Sequence, residues 1–128
     1  MPIYLQAVET RVPETEYAQD FIRDLTEKSV GASGKTARYI RRIYRHSGIE
    51  TRHSVIRDFS PSAPRIPFFT AGPGGSLTTP DTRTRNSLYV SESRPLFTEL
   101  ARAAIANCPN ARAADITHVI TVSCTGFY

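Results

Sequence analysis

Two stretches of the 128-residue chain have the residue choice of buried β-strands, and they lie near its opposite ends. One holds Ile3, Tyr4, Leu5, Ala7 and Val8; the other holds Ile116, Val119, Ile120 and Val122. Runs with so few charges fit strands covered on both faces, because a strand with one wet face alternates polar and apolar residues. A lone pair of strands is marginal in water. The strands that would partner these two must therefore come from outside these residues.

Between the two runs the spacing becomes helical. Pro13 ends the first run, and Thr15 is placed to cap a helix by accepting from its first free amides. Tyr17, Ala18, Phe21, Ile22 and Leu25 then recur at helical intervals to about Ser29, where Gly31 and Gly34 break the helix. A second helix is expected from about Lys35 to His46, with Ile40, Ile43 and Tyr44 on its apolar side and Ser47-Gly48 closing it. Pro61, Pro64, Pro67, Pro73 and Pro80, with Gly72, Gly74 and Gly75, exclude a long helix or a central strand, so residues 59–80 read as an irregular loop within a domain spanning 1–128. A third helix is expected from Ser93 to Asn107, with Ser93 as cap, Pro95 in the first turn, and Phe97, Leu100, Ala101, Ala104 and Ile105 as its buried stripe.

A 40% share of hydrophobic residues against 22% charged ones is the balance of a folded chain and excludes a disordered one. No run approaches the ~18 apolar residues of a membrane-spanning helix. Met1-Pro-Ile-Tyr also lacks the charged start and apolar middle of a signal peptide, which points to a cytoplasmic protein with no membrane partner. In that reducing setting Cys108 and Cys124 are expected as free thiols, and no CxxC or HExxH spacing offers a metal site.

The net charge of +4 is concentrated, because Lys35, Arg38, Arg41, Arg42, Arg45, Arg52 and Arg57 face only Glu50 between positions 35 and 57. At about 100° per residue, Lys35, Arg38, Arg42 and Arg45 share one face of the second helix, opposite Ile40 and Ile43. From the residues alone two readings stay open: a phosphate-bearing ligand gripped by arginine forks, or a solvated basic face. Nucleic acid is disfavoured, since no aromatic or base-reading module accompanies the charge. Gly31-Ala-Ser-Gly-Lys-Thr36 has the ending of a phosphate loop, but the first glycine of that pattern falls at Ser29 and an amphipathic helix precedes it, so it reads as a turn between helices.

The segments Asp115-Ile-Thr-His-Val-Ile-Thr-Val-Ser-Cys-Thr-Gly-Phe-Tyr128, Ser47-Gly-Ile-Glu-Thr-Arg-His53 and Ile3-Tyr-Leu-Gln-Ala-Val8, with the spacing between them, resemble type III polyketide synthases of the bacterial kind, the chalcone synthase-like enzymes of the thiolase superfamily. The resemblance covers most of the chain and is weakest over residues 58–80. It implies a thiolase-like fold, with this chain as the N-terminal part of its first half, an incomplete layered α/β/α domain. Complete members load an acyl group from coenzyme A onto a cysteine and extend it with malonyl units by decarboxylative condensation, usually as homodimers. Their Cys-His-Asn set is expected beyond residue 128. The resemblance thus implies acyl-CoA and malonyl-CoA as substrates, no permanently bound cofactor, no catalytic residue among the 128, and no condensing activity for this chain alone.

In that family the helix before the Ser-x-Ile-x-x-Arg segment supplies three cations for the coenzyme A phosphates. Arg42 falls on one of those positions, while the other two carry Tyr39 and His46; Arg38 and Arg45 are the neighbours able to substitute, with His46 as a further contact. Cys124 and Thr125 fall on the active-site wall, where they shape the cavity without forming the thioester. A place at the carboxyl end of a central strand suits such a role independently of family. Cys124-Thr-Gly-Phe is also similar to the nucleophile turn of ketoacyl synthase III enzymes, but in both families the nucleophile comes one strand and one helix later. Two alternatives remain: a ketoacyl synthase III-like condensing enzyme, and a truncated, non-catalytic product that binds coenzyme A.

Overall fold

The computed structural model describes residues 2–124 and residue 126. The chain divides into two units, residues 13–80 and residues 1–12 with 81–128.

The first unit opens with strand β1 (Thr15–Ala18), which runs into helix α1 (Gln19–Ser29), then helix α2 (Gly34–Arg45) and strand β2 (Thr51–Ser54). The two strands pair antiparallel, Thr15 opposite Ser54 and Ala18 opposite Thr51. Thr15 therefore lies in a strand and does not cap a helix; the N-cap of α1 is Ala18, which makes no side-chain cap bond. Residues 51–54 satisfy the main chain of residues 15–18, an option invisible to a reading confined to neighbours in sequence. The Gln19 N–H adds one more bond beyond the ladder, 2.8 Å to the Glu50 carbonyl, as the chain turns into α1. Both helices end where their spacing predicts. Gly48 then reverses the chain into β2 at φ +67°, a left-handed conformation that costs glycine least.

The core of this unit is aromatic. Tyr17, 8% exposed, stacks on Phe21 with centroids 5.7 Å apart, and its hydroxyl donates to the Ile56 carbonyl at 2.9 Å. Phe59 meets both rings at 6.4 and 6.1 Å and stacks on Phe69 at 6.3 Å. Asp58 holds this part of the chain in place, its two carboxylate oxygens accepting the main-chain N–H groups of Phe68 at 3.0 Å and Phe69 at 2.7 Å. Two-residue strands β3 (Thr70–Ala71) and β4 (Leu77–Thr78) follow, joined through a 3₁₀ turn at Pro73–Gly75. No long helix or central strand interrupts residues 59–80, as their proline and glycine content requires.

The second unit is built on helix α3 (Thr82–Ala106). It starts at Thr82 and not at Ser93, and Pro95 lies inside it. The reason is Asp81, whose carboxylate accepts the Thr84 N–H at 2.7 Å and satisfies one of the free amides of the first turn. That acceptor also holds the carboxyl below the usual aspartate range. The expected buried stripe is only half-buried at Leu100, Ala104 and Ile105, and Phe97 and Ala101 are exposed. Asn107 donates to Glu9, and Arg11 pairs with Glu99 at 3.6 Å.

The runs at 3–8 and 116–122 are not strands. Neither belongs to a sheet among the described residues, and their side chains are open to solvent, Ile3 at 98% and Ile120 at 87% exposure. β-favouring residues make a strand only when a neighbour takes up the amides and carbonyls. Neither run has one here, since both two-stranded sheets lie within residues 13–80.

Candidate functional site

Helix α2 is seated on α1 by its other residues, which leaves the basic ridge free. Ala37 is buried; Ile40 and Tyr44 are half-buried beside it. The Tyr44 hydroxyl shares a 2.9 Å hydrogen bond with Thr26 of α1. At the margin, Arg41 forks onto Glu27, Nε to Oε1 at 2.9 Å and Nη2 to Oε2 at 2.7 Å, and this carboxylate holds the guanidinium still more firmly in its charged form. Ile43, expected on the apolar side, is 56% exposed; 100° per residue turns it well away from Ala37 and Tyr44.

Lys35, Arg38, Arg42 and Arg45 are all exposed, and none forms an ion pair among the described residues. The helical rotation gathers them within about 80° of arc on the side away from α1. Tyr39, 71% exposed, continues that surface, and His46 occupies the C-cap. The four cations form an open, uncompensated ridge suited to a multiply charged anion. Arg42 and Arg45 lie in the last turn, so they also offset the negative carboxyl end of the helix.

Behind the ridge, the Ser47–His53 motif acts as a brace. Gln19 is 5% exposed and is the hub: its Nε2 donates to Ser47 Oγ at 3.0 Å, and its Oε1 accepts from Arg52 Nε. Ser47 Oγ in turn donates to the Tyr44 carbonyl at 2.8 Å, and the Arg52 guanidinium lies 5.7 Å from the Tyr44 ring centroid, within cation–π range. Ser47 and Arg52 thus fix the end of α2 against the start of α1. Sequence reasoning passed over Gln19, since its role exists only once these distant segments meet. A groove of about 500 Å³ opens beside the brace, lined by Gln19, Asp20, Arg23, Tyr44, Arg45 and Glu50 among others. Its charge is mixed, because Asp20 and Glu50 accompany Arg45, and Arg23 is already paired with Asp20 and Asp24. The anion-attracting surface is the ridge.

Cys124 lies in the other unit, exposed at a bend. Thr125 is outside the described residues. Gly126 donates its N–H to Ser123 Oγ at 3.2 Å and lies against the ring of Tyr89, where a Cβ would collide with the ring carbons. His118 Nδ1 is 2.9 Å from Thr117 Oγ1, a contact to its own neighbour. The structure therefore brings Arg38, Arg42, Arg45 and His46 onto one surface, and leaves Cys124 in a separate unit.

Among the described residues no group of three or more histidine, cysteine, aspartate or glutamate side chains is arranged to hold a metal ion, and no helix is long and apolar enough to cross a membrane. No family model matches this chain, nor does any curated protein or solved structure.

Proposed function

We propose that this chain is the N-terminal portion of a thiolase-like, type III polyketide synthase that condenses acyl-CoA starters with malonyl-CoA in the cytoplasm, as a homodimer. The observation that carries the reading is the ridge of Lys35, Arg38, Arg42 and Arg45, free of carboxylate partners among the described residues and followed directly by the Ser47-to-His53 motif. Coenzyme A carries a pyrophosphate and a 3′-phosphate, and arginine forks on a fixed helix match such groups better than flexible single charges do. In the reaction, the acyl group passes from the coenzyme A sulfur to a cysteine sulfur supplied outside these residues. Loss of carbon dioxide from malonyl-CoA then generates the carbon nucleophile that attacks that thioester and releases the cysteine. This chain's part is to bind the carrier and, through Cys124 and Thr125, to shape the cavity.

The direct test is calorimetric titration of the 128-residue protein with coenzyme A and with dephospho-coenzyme A at low salt. Coenzyme A should bind more tightly, and Arg42→Ala should weaken it by about 1 to 3 kcal/mol, the usual loss of a charged hydrogen bond. Arg38→Ala and Arg45→Ala should act in the same direction, and added salt should reduce all three effects. Equal affinity of the wild type and the triple alanine variant would leave only a solvated face. The exposure of Cys124 favours one second reading, in which it is the nucleophile of a ketoacyl synthase III-like enzyme. Under the first reading the chain does not turn over malonyl-CoA; turnover abolished by Cys124→Ala would decide for the second.

A further inference from the structure

Tyr39 and Ile43 lie one turn apart on α2, and both are exposed. Measured from Lys35 at about 100° per residue, Arg42, Arg38 and Arg45 fall within about 80° on one side, while Tyr39 and Ile43 lie about 40° and about 80° away on the other. The open face of the helix therefore carries two stripes side by side, one cationic and one apolar. Tyr39 is where they meet, since Lys35 four positions before it and Arg42 three positions after it are its neighbours on the helix surface. Among the described residues the Tyr39 ring stacks on no other ring and lies under no cation, whereas Tyr17 stacks on Phe21 and Tyr44 takes the Arg52 guanidinium. No aspartate or glutamate occurs between Glu27 and Glu50 to neutralise the face. The juxtaposition comes from a single helix turning on itself and needs no other part of the chain.

A simple polyanion would use the cations and leave the ring in water. A ligand that fits both stripes carries phosphates beside a flat apolar ring, which is the build of a nucleotide. We propose that the base of a nucleotide stacks on the Tyr39 ring while its phosphates lie along Lys35, Arg38 and Arg42. The ribose holds base and phosphates apart, much as one helical turn holds Tyr39 apart from Lys35 and Arg42. Ile43 extends the apolar stripe along the edge of the base, and the guanidinium forks take the phosphate oxygens bidentately. The inference rests on the coenzyme A reading and sharpens it: the ridge takes the carrier by its adenosine end, and bare phosphate groups bind less well.

Calorimetric titration of the 128-residue protein at low salt tests it, with adenosine 3′,5′-bisphosphate and inorganic pyrophosphate as probes of similar charge. The nucleotide should bind about tenfold more tightly than pyrophosphate, the usual gain from stacking one base. Tyr39→Ala should remove that advantage and leave pyrophosphate binding unchanged, Tyr39→Phe should retain it, and Arg42→Ala should weaken both probes. Circular dichroism at 222 nm checks that each variant keeps its helices; position 39 is exposed, and alanine favours a helix. Equal affinity of wild type and Tyr39→Ala for the nucleotide, with both probes still weakened by Arg42→Ala, overturns the stacking and leaves the ridge as a site for phosphate alone. Binding of neither probe to the wild type overturns the stacking together with the coenzyme A reading.

Discussion

Arg52 donates its Nε–H to the side-chain oxygen of the buried Gln19, a bond across 33 residues of sequence that joins β2 to the first turn of α1. With the second bond from Gln19 to Ser47, the buried amide has both its oxygen and its nitrogen satisfied. Gln19→Ala removes these bonds and leaves Ser47 and Arg52 to find other partners, so it should lower the unfolding free energy by about 1 to 3 kcal/mol in urea titration. Gln19→Glu keeps the Arg52 bond and should cost less. Equal stability of Gln19→Ala and wild type would show that the brace contributes nothing.

Asp81 caps α3 as a carboxylate, and its acceptor bond from the Thr84 N–H holds its pKa below the ordinary value. A group with a lowered folded pKa contributes its stability above the unfolded pKa and loses it as pH falls through the folded one. The helix should therefore weaken on acidification below the ordinary aspartate range. Asp81→Asn, which keeps a capping oxygen without the charge, should flatten this part of the pH profile when thermal unfolding is followed by circular dichroism at 222 nm.

Gly126 has no room for a side chain, because the ring of Tyr89 fills the space a Cβ would take. Gly126→Ala should destabilise by about 1 to 3 kcal/mol, the usual cost of overpacking, and Tyr89→Ala in the same chain should recover part of it. A double-mutant cycle with no coupling between the two changes would show that they do not touch in solution.

The two thiols differ in access, Cys124 being exposed and Cys108 half-buried. A small thiol reagent should label Cys124 first, and Cys124→Ser should remove the fast phase while leaving the slow one. Matching rates at both cysteines would contradict the described environments.

Where the governing interactions are local, the sequence is readable. The ends of α1 and α2 follow from helical spacing and from Gly31 and Ser47-Gly48, and the cationic ridge follows from the same rotation that buries Ala37. Where the interaction spans long separations, it is not. Residues 15–18 carry no strand pattern of their own, and only Thr51 to Ser54, brought back by the helix pair, make them one. The start of α3 was obscured by Pro95, which suits a first turn so well that it outweighs the cap at Asp81 fourteen positions earlier. The runs at 3–8 and 116–122 have strand composition without partners, and composition alone does not pair a backbone. Gln19 looks like any polar residue until the chain folds around it.

The clasp between Asp58 and the amides of Phe68 and Phe69 divides the proline-rich stretch into a closed lobe and a separate hairpin. The lobe is the slacker part: residues 61–67 are exposed, and among the described residues no backbone–backbone bond reaches from 64–67. A protease should therefore nick the lobe long before the hairpin, and added residues should be accommodated there without disturbing the aromatic core. Asp58→Ala should narrow this difference, because the start of the hairpin would then be tied to the core only through the stacking of Phe69 on Phe59.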